Sequence, residues 1–224
     1  MLVGILAVAG LGVAATWPGF DPKQISVSGN HRVAGVQILQ RAAIAPHVTI
    51  WLQNTGAMRR RIEAIPYIAT ASVHRVPPAS IAIAVSERVP YALVRSDEDE
   101  ALVDHAMRVL EPATLDATLP VLVLRPGLDL TPGTFIKSRD AVALRAADDA
   151  MGARQIVPAQ LEFDRYGGLV VTLHSGLRLL LGSDNDLGQK LTLAGAIISQ
   201  VVGKRQHVSA IDLRAPGTPV LVYR

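Results

Sequence analysis

Residues 1–20 carry no charged side chain, and no other feature constrains the chain as strongly. About 20 apolar residues, each rising 1.5 Å along a helix, cover the ~30 Å hydrocarbon core of a bilayer. Leu2, Val3, Ile5, Leu6, Val8, Leu11 and Val13 each favour insertion by roughly 0.3 to 0.6 kcal/mol at the membrane centre, and Trp17 stands where an interfacial aromatic belongs. The run predicts a transmembrane helix over residues 1–20. Two other readings compete with it. A cleaved signal peptide needs a basic start, a shorter apolar stretch and a small-x-small cleavage site, and Ala14-Ala15-Thr16 offers only the last. A buried core helix at a chain terminus would want a periodic polar face to turn to water, which this run lacks. Nothing basic precedes the run, so the positive-inside rule has almost nothing to count, and a cytoplasmic segment is expected upstream of residue 1.

The 224 residues suit one anchor plus one or two small domains. Half of them are hydrophobic and only 4% aromatic, so the core is built from Val, Ile, Leu and Ala and the class is α+β. A net charge of +3 with no basic run argues against a nucleic-acid partner. The absence of cysteine removes disulfides and thiolate metal sites, and it fits an oxidising compartment.

Residues 24–28 alternate, with Ile25 and Val27 on one face, and read as a strand ending at Gly29-Asn30. Val33, Val36, Leu39 and Ala43 form a helical stripe over 32–44, stopped by Pro46, and a second helix runs from Asn54 or Thr55 through Met58, Ile62 and Ile65 to Pro66. Arg59, Arg60 and Arg61 fall mostly on its wet side. Residues 67–75 and 80–87 then bracket the turn 76–79 as a hairpin that buries Ile81, Ile83 and Val85. Strand, helix, helix, strand, strand places two helices on one face of a three-stranded sheet. Strands follow at 91–95, 101–104, 108–110 and 121–124, with the acidic turn 97–100 between the first two. A helix over 135–151 carries Ile136, Val142, Leu144 and Ala147. Strands at 160–164, 169–174 and 177–181, a helix over 186–202 stopped by Gly203, and strands at 208–214 and 219–224 complete a mostly antiparallel second domain.

These residues resemble the FtsQ/DivIB family of bacterial cell-division proteins, a POTRA domain followed by a β domain. The resemblance rests on Ile25-x-Val27-x-Gly29, on Ile65-Pro66-Tyr67-Ile68-x-x-Ala71-x-Val73, and most specifically on Arg75-x-x-Pro78-x-x-Ile81-x-Ile83-x-Val85-x-Glu87-Arg88-x-Pro90. Leu102-Val103-Asp104, Leu119-Pro120-Val121-Leu122, Leu181-Gly182, Lys190-Leu191 and Ile211-Asp212-Leu213-Arg214 extend it over nearly everything after residue 24. One departure is Met107, where the family usually has glycine. The resemblance implies a transmembrane helix at 1–20, a POTRA domain at 24–89 and a β domain at 90–224. It also implies a single-pass inner-membrane protein at the division site, its domains on the non-cytoplasmic side, that recruits and bridges divisome partners such as an FtsB/FtsL-like pair without catalysis or cofactor. A POTRA-bearing outer-membrane assembly factor would continue into a long array of spanning strands. An exported periplasmic binding protein or hydrolase released by signal peptidase is the reading from a different class.

The chemical candidates are weak. No two of the six histidines share the i, i+4 spacing of a metal-binding helix face. His174-Ser175-Gly176 lacks both flanking glycines of a nucleophile elbow and reads as a turn, while the acidic run 97–100 reads as a solvated loop. Glu87 and Arg88 point to opposite faces of a strand, and a structural role at the interdomain joint is expected of them. The expected partner-binding residues are Val220, Leu221, Val222, Tyr223 and Arg224, a terminal strand that can accept an added β-strand, as the resemblance suggests. Pro219 cannot donate to a ladder. Tyr223 is the expected anchor, with Leu221 on its face and Val220 and Val222 turned towards the core.

Overall fold

The computed structural model describes residues 17–113, 118–203 and 208–223. Two units separate between Val89 and Pro90. The first is organised around β3 (Ser80–Glu87), the middle strand of a three-stranded sheet whose neighbours are β1 (Gln24–Ser28) and β2 (Ile68–Val76). β1 runs parallel to β3 with Ile25 opposite Ile81 and Val27 opposite Ile83, and β2 runs antiparallel to it with Val73 opposite Ile83. The alternation along β3 buries Ile81, Ile83 and Val85, as the pattern predicts.

Helices α1 (Gly35–Ala42) and α2 (Thr55–Glu63) pack on each other and on this sheet. Asn54 caps α2 by accepting the Ala57 N–H at 2.9 Å. Met58 and Ile62, one turn apart, are buried. Arg59 and Arg60 face water, but Arg61 donates to the carbonyls of Arg41 and Ala42 and so satisfies the C-terminal end of α1.

α1 is shorter than the helix expected over 32–44, and its buried residues are Ile38 and Ala42, while Val36 is exposed. Two features account for its shorter span. The N–H groups of His31, Arg32 and Val33 donate to the Glu87 carboxylate, which holds these residues out of the helix, and Ala43 ends α1 in the left-handed region at φ 51°. The structural role expected of Glu87 is therefore exercised inside the first unit. Arg88 belongs there too, its N–H donating to the Tyr67 carbonyl at 2.7 Å.

The transmembrane helix expected over 1–20 falls outside the described residues except at its end, where Pro18–Phe20 form a short 3-10 turn. Among the described residues no helix is long and apolar enough to cross a membrane.

The second unit is a nine-stranded sheet in the order β12-β11-β10-β9-β8-β7-β4-β5-β6. Its strands are β4 (Pro90–Ser96), β5 (Asp99–Asp104), β6 (Val109–Pro112), β7 (Val121–Val123), β8 (Pro158–Phe163), β9 (Leu169–Leu173), β10 (Arg178–Gly182), β11 (Val208–Asp212) and β12 (Val220–Tyr223). The neighbours β4·β7, β7·β8 and β10·β11 are parallel and the other five pairs antiparallel. α3 (Arg139–Gly152) packs on β7 and β8, and α4 (Leu187–Gly203) on β10. Ala141, Leu144, Ala147 and Met151 of α3 join Leu161, Val171, Leu179, Leu191 and Ile211 in one aliphatic core.

α3 starts later than expected, and Val142 is exposed rather than buried. Residues 134–136 run alongside 107–109 instead: the Val109 N–H donates to the Thr134 carbonyl and the Ile136 N–H to that of Met107. Met107 is buried at φ 60°, a backbone conformation that glycine adopts without penalty. At the start of α4, buried Lys190 donates to the carbonyls of Leu181 and Ser183, both at 2.8 Å, and so ties the helix to the end of β10.

Candidate partner-binding edge

β11 lies parallel to β10, and the Leu213 N–H extends that ladder to the Leu180 carbonyl at 2.8 Å. After it the chain turns. Arg214 closes on Asp212 through both its backbone N–H and its guanidinium. That guanidinium, chiefly through its side-chain hydrogen bonds, holds the Asp212 carboxyl below its ordinary range and outweighs the opposing effect of burial. The Thr218 N–H donates to the Ala215 carbonyl, and β12 returns antiparallel to β11. β12 is the last strand in the sheet order and has β11 as its one strand neighbour among the described residues.

Register decides which side chains face out. Leu221 lies opposite Ile211, which is fully buried, and packs against the core. Cross-strand neighbours share a face. Val220 and Val222 are therefore on the outer face, 55% and 45% exposed. This corrects the expectation that these two valines turn to the core. Tyr223 shares Leu221's parity but lies at the strand end and is 57% exposed. Arg224 lies outside the described residues. The Val222 carbonyl faces β11, where Ser209 Oγ donates to it at 3.0 Å. Antiparallel geometry then turns the N–H and C=O groups of its neighbours Leu221 and Tyr223 towards the open edge.

The most enzyme-like cluster is a cleft of about 360 Å³ lined by Tyr91, Asp148, Asp149 and Ile156, among others. The Tyr91 hydroxyl donates to Asp148, and His105 Nε2 lies 3.0 Å from Asp149. Burial, reinforced by Asp148, pushes the Tyr91 hydroxyl above its ordinary range, and burial also raises Asp148. A hydroxyl held protonated serves as a hydrogen-bond donor that fixes α3 to β4, not as a base. His174, Ser175 and Gly176 form the β9–β10 turn, closed by the Gly176 N–H on the Leu173 carbonyl. Glu100 of the acidic run pairs with Arg95 at 2.5 Å. Among the described residues no three acidic or histidine side chains could hold a metal ion.

Residues 20–88 match the family model described as POTRA domain, FtsQ-type, and residues 92–214 match that of the cell division protein FtsQ/DivIB C-terminal region. The chain belongs to the FtsQ/DivIB family. The C-terminal FtsQ/DivIB match ends before β12. Three relatives are each named cell division protein FtsQ. That of Mycolicibacterium smegmatis is 29% identical over 95% of the chain and 62% of its own length. That of Streptomyces bingchenggensis is 26% identical over 100% of the chain and 86% of its own length. That of Syntrophotalea carbinolica is 35% identical over 43% of the chain and 38% of its own length. The matched stretch spans 62% of the Mycolicibacterium relative and 38% of the Syntrophotalea relative, less than two thirds of each. The POTRA match covers the first sheet with α1 and α2, and the C-terminal match covers β4 to β11.

Proposed function

We propose that this FtsQ/DivIB member is a non-catalytic, membrane-anchored divisome scaffold that captures a partner by β-strand addition at β12. In this reading residues 1–20 anchor it in the cytoplasmic membrane, 24–89 form the POTRA domain, and 90–224 form a β domain on the non-cytoplasmic side, at the division site. The observation that carries the proposal is the open edge of β12, with Val220, Val222 and Tyr223 exposed beside it. An exposed, apolar edge is a template for a further strand. The partner, an FtsB/FtsL-like pair in the family's terms, supplies an extended segment.

Two residues facing the edge provide four backbone bonds. At about 0.5 to 1.5 kcal/mol each these give roughly 2 to 6 kcal/mol, short of the ~8 kcal/mol of a micromolar complex. Side chains make up the difference, and Tyr223, large and amphipathic, is the anchor. Deleting residues 220–224 tests this. Loss of pair capture by a β domain that keeps its melting transition supports the proposal; undiminished capture by the same folded variant overturns it. Tyr223→Pro is the finer version, because it removes a donor aimed at the edge, whereas proline at Val222 would strike the ladder to β11.

A further inference from the structure

Outside the edge already described, the first unit exposes an apolar patch at the point where the charge-free run ends. Trp17 stacks edge-on against Phe20 at 5.8 Å between ring centroids, and Phe20 against Trp51 at 6.2 Å. Trp17, Trp51 and Leu52 are all exposed. Hydrogen bonds hold the loop that presents Trp51 and Leu52. The Ile50 N–H donates to the Phe20 carbonyl at 2.9 Å, and buried Gln53 donates to the carbonyls of Ala45 and Val48. Arg75 donates to the carbonyls of Ile50 and Gln53, both at 2.7 Å. This bonding fixes the α1–α2 loop in a conformation that holds Trp51 and Leu52 out in solvent.

We infer that Trp17, Phe20, Trp51 and Leu52 seat the first unit in the interfacial layer of a phospholipid bilayer. The inference rests on the reading of residues 1–20 as a membrane segment. Residues 1–16 run directly into Trp17 and contain no charge, so a helix through them that spans the bilayer delivers Trp17 to the headgroup level. Trp51 stands two ring contacts from Trp17. Tryptophan is suited to that layer because its indole is apolar over most of its surface yet keeps one N–H for water or headgroups. The seat would orient the POTRA domain on the membrane instead of leaving it to swing on a single tether.

The chain has two tryptophans, so Trp17→Phe leaves Trp51 as the sole indole reporter. The full chain is reconstituted in phosphatidylcholine vesicles whose lipids carry bromine at either shallow or deep acyl positions. Blue-shifted Trp51 emission, quenched more by shallow than by deep bromine, is the expected result, and Leu52→Asp should remove most of that quenching. A chain that resists alkaline carbonate extraction while Trp51 stays unquenched overturns the seat and leaves the anchor standing. A blue shift without bromine quenching, the sign of a protein neighbour such as a second copy, overturns it as well. Release by carbonate overturns both the seat and the anchor.

Discussion

Glu87 accepts the backbone N–H of Val33 at 2.8 Å across 54 residues of chain. The same carboxylate receives the N–H groups of His31 at 2.9 Å and Arg32 at 2.8 Å. Burial alone would raise its pKa, but these three donors, with the nearby His31, together outweigh burial and the carboxyl titrates below its ordinary value of 4.5. A depressed folded pKa means that the unfolded chain binds more protons in the window just below that value. The contribution is therefore complete above pH 4.5 and is lost as pH falls through the lower, folded value. Glu87→Gln keeps an acceptor but removes this titration. Urea unfolding of the first unit in a Trp17→Phe background, followed by Trp51 fluorescence, should show a weaker pH dependence in that window for the variant than for the parent chain.

Ile83 lies in the central strand between Val27 and Val73, with almost no exposure. Ile83→Asp places a carboxylate there without a partner, at a cost of several kcal/mol against a typical domain stability of roughly 5 to 15 kcal/mol. The POTRA domain should lose its cooperative melting transition or melt far lower. An unchanged midpoint would remove Ile83 from the core.

Met107 sets two effects against each other. Its φ of 60° costs a residue with a Cβ about 1 to 2 kcal/mol, which glycine would relieve. Truncating a buried methionine to alanine costs about 2 to 5 kcal/mol, and glycine removes as much. Met107→Gly should therefore destabilise the β domain by at most about 4 kcal/mol, the largest difference between these ranges. A raised melting midpoint would show that the backbone term dominates.

Where a single strand's own alternation decides burial, the sequence suffices. Ile81, Ile83 and Val85 against Ala82 and Ala84 predict the hairpin and its buried face, and the structure has both. Where a distant group takes the backbone, local pattern misleads. Residues 32 and 33 fit a helical stripe, yet Glu87 claims their amides. Residues 135 and 136 also fit one, yet Ile136 donates to Met107 and residue 135 bridges to Arg108. The terminal strand fails for a different reason. Val220, Leu221, Val222 and Tyr223 are all apolar, so alternation gives no parity, and only the register against Ile211 shows Leu221 facing the core. The aromatic patch joins Trp17 to Trp51 through tertiary contact with Phe20, which no local window contains.

Strand addition at β12 is tested most directly by amide hydrogen exchange at Leu221 and Tyr223, measured by NMR with and without the bound FtsB/FtsL-like pair. Both amides point to the open edge by alternation from Val222, whose carbonyl accepts from Ser209 on β11. Slowed exchange at these two positions on binding, with little change at Val222, is the predicted result. Unchanged exchange at Leu221 and Tyr223 in a complex shown by sedimentation to be fully formed would contradict strand addition at this edge.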